Sequence, residues 1–210
     1  MGTSIATAQA ATSLQHIRGT VTQASDTSVT IDTAQGPVTI ALASQTAIAG
    51  VVPAKLSDIM QNAFIGVTNV PQPGGARAVG VFLLPDALRN EAGSFPWDYP
   101  SEGAGGSRMT NGDVSMGSRM TNGDVSLGSR MTNGTVSTAS SAGPLRVTVA
   151  YQGGSIDATI PVDTPVVRIV PATWKTLARG AHVFVAVHAV NNHETAAQII
   201  VGEQGAVPPM

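Results

Sequence analysis

The sequence predicts an all-β protein: two tandem five-stranded small barrels, each carrying one short helix. Three observations carry this. Only 11% of the 210 residues are charged and 42% are hydrophobic; helical bundles need Glu and Lys on their surfaces, whereas turn-rich β-domains do not. Apolar residues alternate with Thr and Ala at the period of a half-buried strand. A long internal duplication also runs at an offset of about 115 to 119 residues. Repeats of this kind set the architecture before any single element does.

The duplication is read as matched phrases. Gly19–Ser25 (GTVTQAS) parallels Gly134–Ser140 (GTVSTAS), and Val29–Gly36 parallels Val147–Gly153. Val38–Ile48 parallels Ile156–Val166, and Val51–Met60 parallels Ile169–Ala178. Ala63–Val70 parallels Ala181–Val190, and Ala76–Leu83 parallels Thr195–Gly202. In the first unit Val29, Ile31, Val38, Ile40 and Leu42 mark two strands around the turn chemistry of AQGP. QGGS does the same in the second unit, since Gly accepts positive φ. Pro53 and Pro171 then open a short helix in each unit, with Leu56/Ile59 and Trp174/Leu177 spaced i, i+3. Leu56 or Trp174 is the expected plug of the barrel end. Two further strands are joined at PQPGG and at NNHE.

The order β-β-β-α-β-β matches an OB-type barrel, a three-stranded meander, a plug and a closing hairpin. Closure is preferred to a plain five-stranded open sheet because a sheet of this size cannot otherwise cover its apolar face. Each unit also resembles a family of uncharacterised bacterial exported OB-like domains. Gly19-Thr20-Val21 and Gly134-Thr135-Val136 carry its opening G-x-V. Val183-Phe184-Val185 and Ala197 carry its end. The resemblance implies an exported bacterial protein, periplasmic or extracellular, and supplies no catalytic residues. The expected layout is a flexible N-terminal tail at 1–15, a first barrel at 16–85, a linker at 86–128, a second barrel at 129–203 and a C-terminal tail at 204–210.

The linker holds two features. Pro96-Trp97-Asp98-Tyr99-Pro100 is an aromatic cluster stiffened by proline. Trp97 and Tyr99 suit either a stacking platform or, by preference, a cover over an apolar patch. Beyond it stand three 11-residue copies, SRMTNGDVSMG, SRMTNGDVSLG and SRMTNGTVSTA, beginning at Ser107, Ser118 and Ser129. Each contains Asn-Gly, a hairpin-turn signal. Three readings stand side by side. A metal site would use Asp113 and Asp124 as oxygen ligands or Met109, Met120 and Met131 as thioethers. One Asp per copy is sparse, and Thr135 replaces it in the third. A bare spacer conflicts with Met and Val at fixed spacing. The favoured reading makes the third copy the first strand of the second barrel and the other two surplus strand openings.

Other chemistry is weak. The chain has no Cys, which removes disulfides and thiolate sites. His182 and His188 share one face of a strand, roughly 20 Å apart at ~3.3 Å per residue, too far to hold one ion. His193 sits in a polar turn, and His16 has no visible partner. No nucleophile elbow, phosphate loop or paired acids appear, so no enzyme and no cofactor is expected. Net charge is -2 and aromatics are 4%, which disfavours nucleic acid despite the barrel type. No segment reaches a membrane span. The N-terminal Ala8-Gln9-Ala10 resembles the end of an export signal.

The expected function is therefore a non-enzymatic exported binding or assembly protein. Its partner is itself, as an oligomer or fibre, or another surface protein. The tail from Ile5 to Leu14 would add to a neighbour's sheet edge. The alternative is a periplasmic metal- or small-ligand binder using the repeat segment.

Overall fold

The computed structural model describes residues 14–100, 106–116, 143–190 and 193–210. The protein is all-β, with strands paired both parallel and antiparallel. The remaining regular structure among the described residues is three 3-10 turns, at Leu56–Asp58, Asp86–Glu91 and Trp174–Thr176.

The chain folds as two compact units, and each is discontinuous in sequence. One comprises Met1–Val52 and Val170–Pro208, the other Pro53–Ile169 with Pro209–Met210. These differ from the contiguous segments 16–85 and 129–203. The two halves are similar in sequence, so the last two strands of either half fit the first three of the other.

In the first unit β1 (Leu14–Ala24), β2 (Ser28–Thr33) and β3 (Gly36–Ala54) form an antiparallel meander. Its partners β11 (His182–Val190) and β12 (His193–Gly202) come from the far end of the chain. Ile17 on β1 faces Val185 on β11, and Ile199 on β12 faces Ile48 on β3 in parallel. The pairings thus run in a closed circuit, β1-β2-β3-β12-β11-β1. Closure needs β3 to bend, because its early residues pair with β2 and its later ones with β12. The register shifts between Ala196 and Gln198. Thr46 holds that irregularity: its hydroxyl donates to the Ala196 carbonyl at 2.7 Å and accepts the Ala43 N–H at 3.0 Å. The inward residues Val21, Val29, Ile31, Ile40, Val183, Val185, Val187 and Ile199 form the core. Alternation along β11 sends His182 and His188 outward, as the period-2 reading requires.

In the second unit β4 (Phe64–Gln72) and β5 (Gly75–Leu83) form a hairpin around Pro73-Gly74, where Gly74 takes φ 80. After the turn at Asp86–Glu91 come β6 (Gly93–Trp97) and β7 (Ser107–Ser115). β8 (Leu145–Tyr151) and β9 (Gly154–Ile160) form the next hairpin, and β10 (Val166–Pro171) follows. Again the pairings close, as β7-β8-β9-β5-β4-β7, with β9 parallel to β5. Val166 on β10 continues that parallel pairing opposite Val81. Together β9 and β10, interrupted by Pro161 and Pro165, reproduce the bent β3. Ile65, Val67, Val81, Val114, Val147, Val149 and Ile160 form this core.

Several expectations change. The short helices are single 3-10 turns of three residues, Leu56–Asp58 and Trp174–Thr176, each ended by an extended or irregular C-cap residue, Ile59 or Leu177. Trp174 is 40% exposed, whereas Leu177 is 3% exposed and joins the first unit's core. In the second unit Ile59 is the buried residue, with Leu56 packed partly against it. The buried member is therefore the second of each apolar pair, Ile59 or Leu177, rather than the expected Leu56 or Trp174. The segment 86–128 is not a linker throughout: it supplies β6 and β7. Leu14 and Gln15 belong to β1 rather than to a tail. The C-terminal residues also pack, with Ala206 buried and the Pro209 carbonyl accepting the Thr68 hydroxyl at 3.1 Å.

Candidate functional site

The strand formed by the first repeat copy, Ser107–Ser115, is the most densely specified place in the second unit. It sits between β4 on one side and β6, then β8, on the other. Phe64–Asn69 pair with Asp113–Arg108. Gly93–Trp97 pair with Asn111–Ser107. Asp113–Ser115 then pair with Ala150–Thr148.

From Ser107 to Val114 each residue of the repeated phrase has a use here. Gly106, just before it, takes φ 62, a conformation glycine adopts freely. The Ser107 hydroxyl donates to the Tyr99 carbonyl at 2.8 Å. The Arg108 guanidinium donates to the Ser94 hydroxyl at 2.8 Å and to the Ser94 carbonyl at 2.6 Å. Met109 is buried, its sulfur 3.9 Å from the Thr68 hydroxyl. Thr110 is fully buried, and its hydroxyl accepts from the Asn69 amide at 3.2 Å and bonds the Ser94 hydroxyl at 3.0 Å. Such a network stabilises only when each member is satisfied. The Asn111 side chain occupies the space a side chain on Gly66 would need. At Gly112 any Cβ would run into the Ala150 carbonyl. Asp113 pairs with Arg89, which also bonds Asp86 at 2.9 Å and the Asn62 carbonyl at 3.0 Å. Arg89 lies 5.6 Å over the Phe64 ring. Val114 enters the core, and its backbone exchanges 2.9 Å hydrogen bonds with Asn62 and Ala63.

The strand is the counterpart of β1. Val21 faces Ile31 as Val114 faces Val149, and Thr20 faces Asp32 as Asp113 faces Ala150. A Cβ on Gly19 would strike the Asp32 carbonyl, as one on Gly112 would strike that of Ala150. The opening G-x-V is thus a close-approach glycine followed by a core valine. The first copy fills this position, where the sequence favoured the third. Its Asn111-Gly112 lies in mid-strand and makes no turn, because two neighbouring strands satisfy its backbone. The third copy, with Met131, lies outside the described residues, as do Met120, Asp124 and Ile5.

The remaining site candidates are placed as follows. Met109 and Asp113 lie on one face of β7 but four residues apart, roughly 13 Å at ~3.3 Å per residue; Met109 is buried beside Thr68 and Asp113 is held by Arg89, so they do not converge on an ion. Among the described residues no group of three His, Asp or Glu is placed to hold a metal. Trp97 ends β6, half-buried and backbone-paired to Ser107, and Tyr99 contributes its carbonyl to the same serine. The aromatic cluster therefore borders the start of β7. Leu14 opens β1 and is 51% exposed.

A second feature is absent from the sequence reading. On the outer face of the second unit Arg77, Thr159 and Arg146 stand in one row across β5, β9 and β8. A shallow groove of about 400 Å³ runs over Gly74, Arg146, Thr148, Asp157 and Thr159. Asp157 accepts the Thr148 hydroxyl at 2.8 Å. The row arises from register alone, which no local pattern around Arg77 or Arg146 announces. Comparison with known proteins adds no relative: no family model, no curated protein and no solved structure matches this chain.

Proposed function

We propose that the protein is a non-enzymatic exported module that self-associates by β-strand pairing, built on two OB-type barrels of the bacterial exported kind. One observation carries the reading. The repeated phrase is a strand, fitted residue by residue to its neighbours, and the chain carries two more copies of it. A strand-forming segment beyond what one molecule's sheet uses is a means of pairing with another molecule. The five-stranded circuits with one parallel closure support the OB-type reading. The metal-binding alternative loses support, because Met109 and Asp113 are already engaged.

The test is size-exclusion with light scattering across a wide concentration range, followed by electron microscopy. The full chain is expected to form oligomers or fibres, and a chain lacking residues 117–138 is expected to stay monomeric. A full chain that remains monomeric at every concentration overturns the reading. A second reading, a small-ligand binder, is favoured by the Arg77–Thr159–Arg146 row. Arg77 and Arg146, which flank Thr159 in the strand register, would together take an anionic group, since guanidinium groups recognise carboxylate and phosphate. Calorimetry with inorganic phosphate should show heat that the Arg77→Ala/Arg146→Ala variant loses; equal traces for both proteins dismiss it.

A further inference from the structure

Residues 106–115 and 117–126 are the same ten-residue string, GSRMTNGDVS. Every contact that holds Ser107–Ser115 in its place is made by a residue of that string. From this identity we infer that the strand position between β4 and β8 accepts Ser118–Ser126 as well as Ser107–Ser115, so that the chain exists as register isomers displaced by eleven residues. The inference does not rest on self-association, because the exchange is internal to one chain.

Three considerations bear on the balance between isomers. Side-chain fit is equal for the first two copies. Chain connection is nearly equal as well. With the first copy in place the connections to β6 and β8 span 9 and 29 residues (98–106 and 116–144). With the second they span 20 and 18 (98–117 and 127–144). Loop-closure entropy grows only as the logarithm of length, so these lengths change the ratio by about 1.6-fold. The third copy has Thr135 where Asp113 stands, and so gives up the pair with Arg89. An exposed pair of this kind is worth a factor of about 1.4 to 5. Arg89 therefore discriminates: it favours the two Asp-bearing copies over the third. One register shift moves a whole copy, with its Arg and its Met, from one side of the strand position to the other. That changes which surface the surplus copies extend from.

The chain has no Cys, so engineered disulfides report register directly. Ser115 lies opposite Thr148 in the β7–β8 pair, and both face outward. Three variants, Ser115→Cys/Thr148→Cys, Ser126→Cys/Thr148→Cys and Ser137→Cys/Thr148→Cys, are oxidised at dilute monomer and mapped by peptide mass. The 126–148 disulfide is expected within about two-fold of the 115–148 yield by the loop entropy above, and the 137–148 yield is expected below both. Gly123→Val, which would put a side chain against the Ala150 carbonyl, should abolish the 126–148 disulfide if it reports the strand position. Gly112→Val should raise it. The inference is overturned if 126–148 is absent while 115–148 forms, or if Gly123→Val leaves it unchanged. It is equally overturned if residue 126 crosslinks only between molecules, a result that would favour self-association instead.

Discussion

Gly19 and Gly112 occupy the same place in the two units, each pressed against a carbonyl on the next strand. A side chain at Gly19 must displace backbone, so Gly19→Val is expected to lower the first unit's stability by about 1–3 kcal/mol. Urea unfolding followed at the β1 and β2 amides measures it. The pair of Arg89 and Asp113 is partly exposed, at 38% and 53%, and so contributes modestly. Asp113→Ala should cost about 0.2–1 kcal/mol, less at high salt. The glycines were legible in the sequence as part of a recurring G-x-V. Arg89 was not: its partner lies 24 positions away in a stretch whose composition reads as a linker. Only the pairing of β4 with β7 brings the two together.

Strands and their turns follow from alternation and from Gly-containing turn residues, and AQGP and QGGS turn where the sequence indicates. Two elements departed from local signals, each for a physical reason. Asn111-Gly112 has hairpin chemistry, but a turn there would forfeit ladder bonds to β4 and β6 and uncover Thr110. The proline-opened segments have helical spacing but only one turn of length. The consequence for packing can be measured. Leu177→Ala should cost about 2–5 kcal/mol through the cavity it leaves. Trp174→Ala should cost clearly less, about 1 kcal/mol or under, because Trp174 is 40% exposed and lies outside the core cluster. Thermal unfolding of both variants decides which residue of the pair anchors the turn in the core. If the tryptophan variant is the more damaged, that assignment is wrong.

At the scale of the molecule the duplication was legible, and the exchange of last strands between halves was not. Sequence similarity makes both assignments equal: the hairpin of either half offers β1–β3 the same alternation and the same edge. What differs is where the chain goes at the end of β3, whose last residues Pro53 and Ala54 already belong to the second unit. The assignment predicts the effect of truncation. A chain ending at Ile169 loses β11 and β12, so Val21, Ile31 and Ile40 should lose amide protection while Val147 and Val149 keep theirs. Segments that folded contiguously would instead keep β1 to β5 protected together. Hydrogen exchange on the truncated chain separates the two outcomes.

The pairing of Ile17 with Val185 has a temporal side. A ribosome emits about 5–20 residues per second, so on the order of ten seconds or more separates the two. Through that interval β1 to β3 stand as a three-stranded meander with both outer edges waiting. The newborn chain thus leaves this meander waiting until β11 and β12 are made, and a chain released before them never completes the first unit's circuit of pairings.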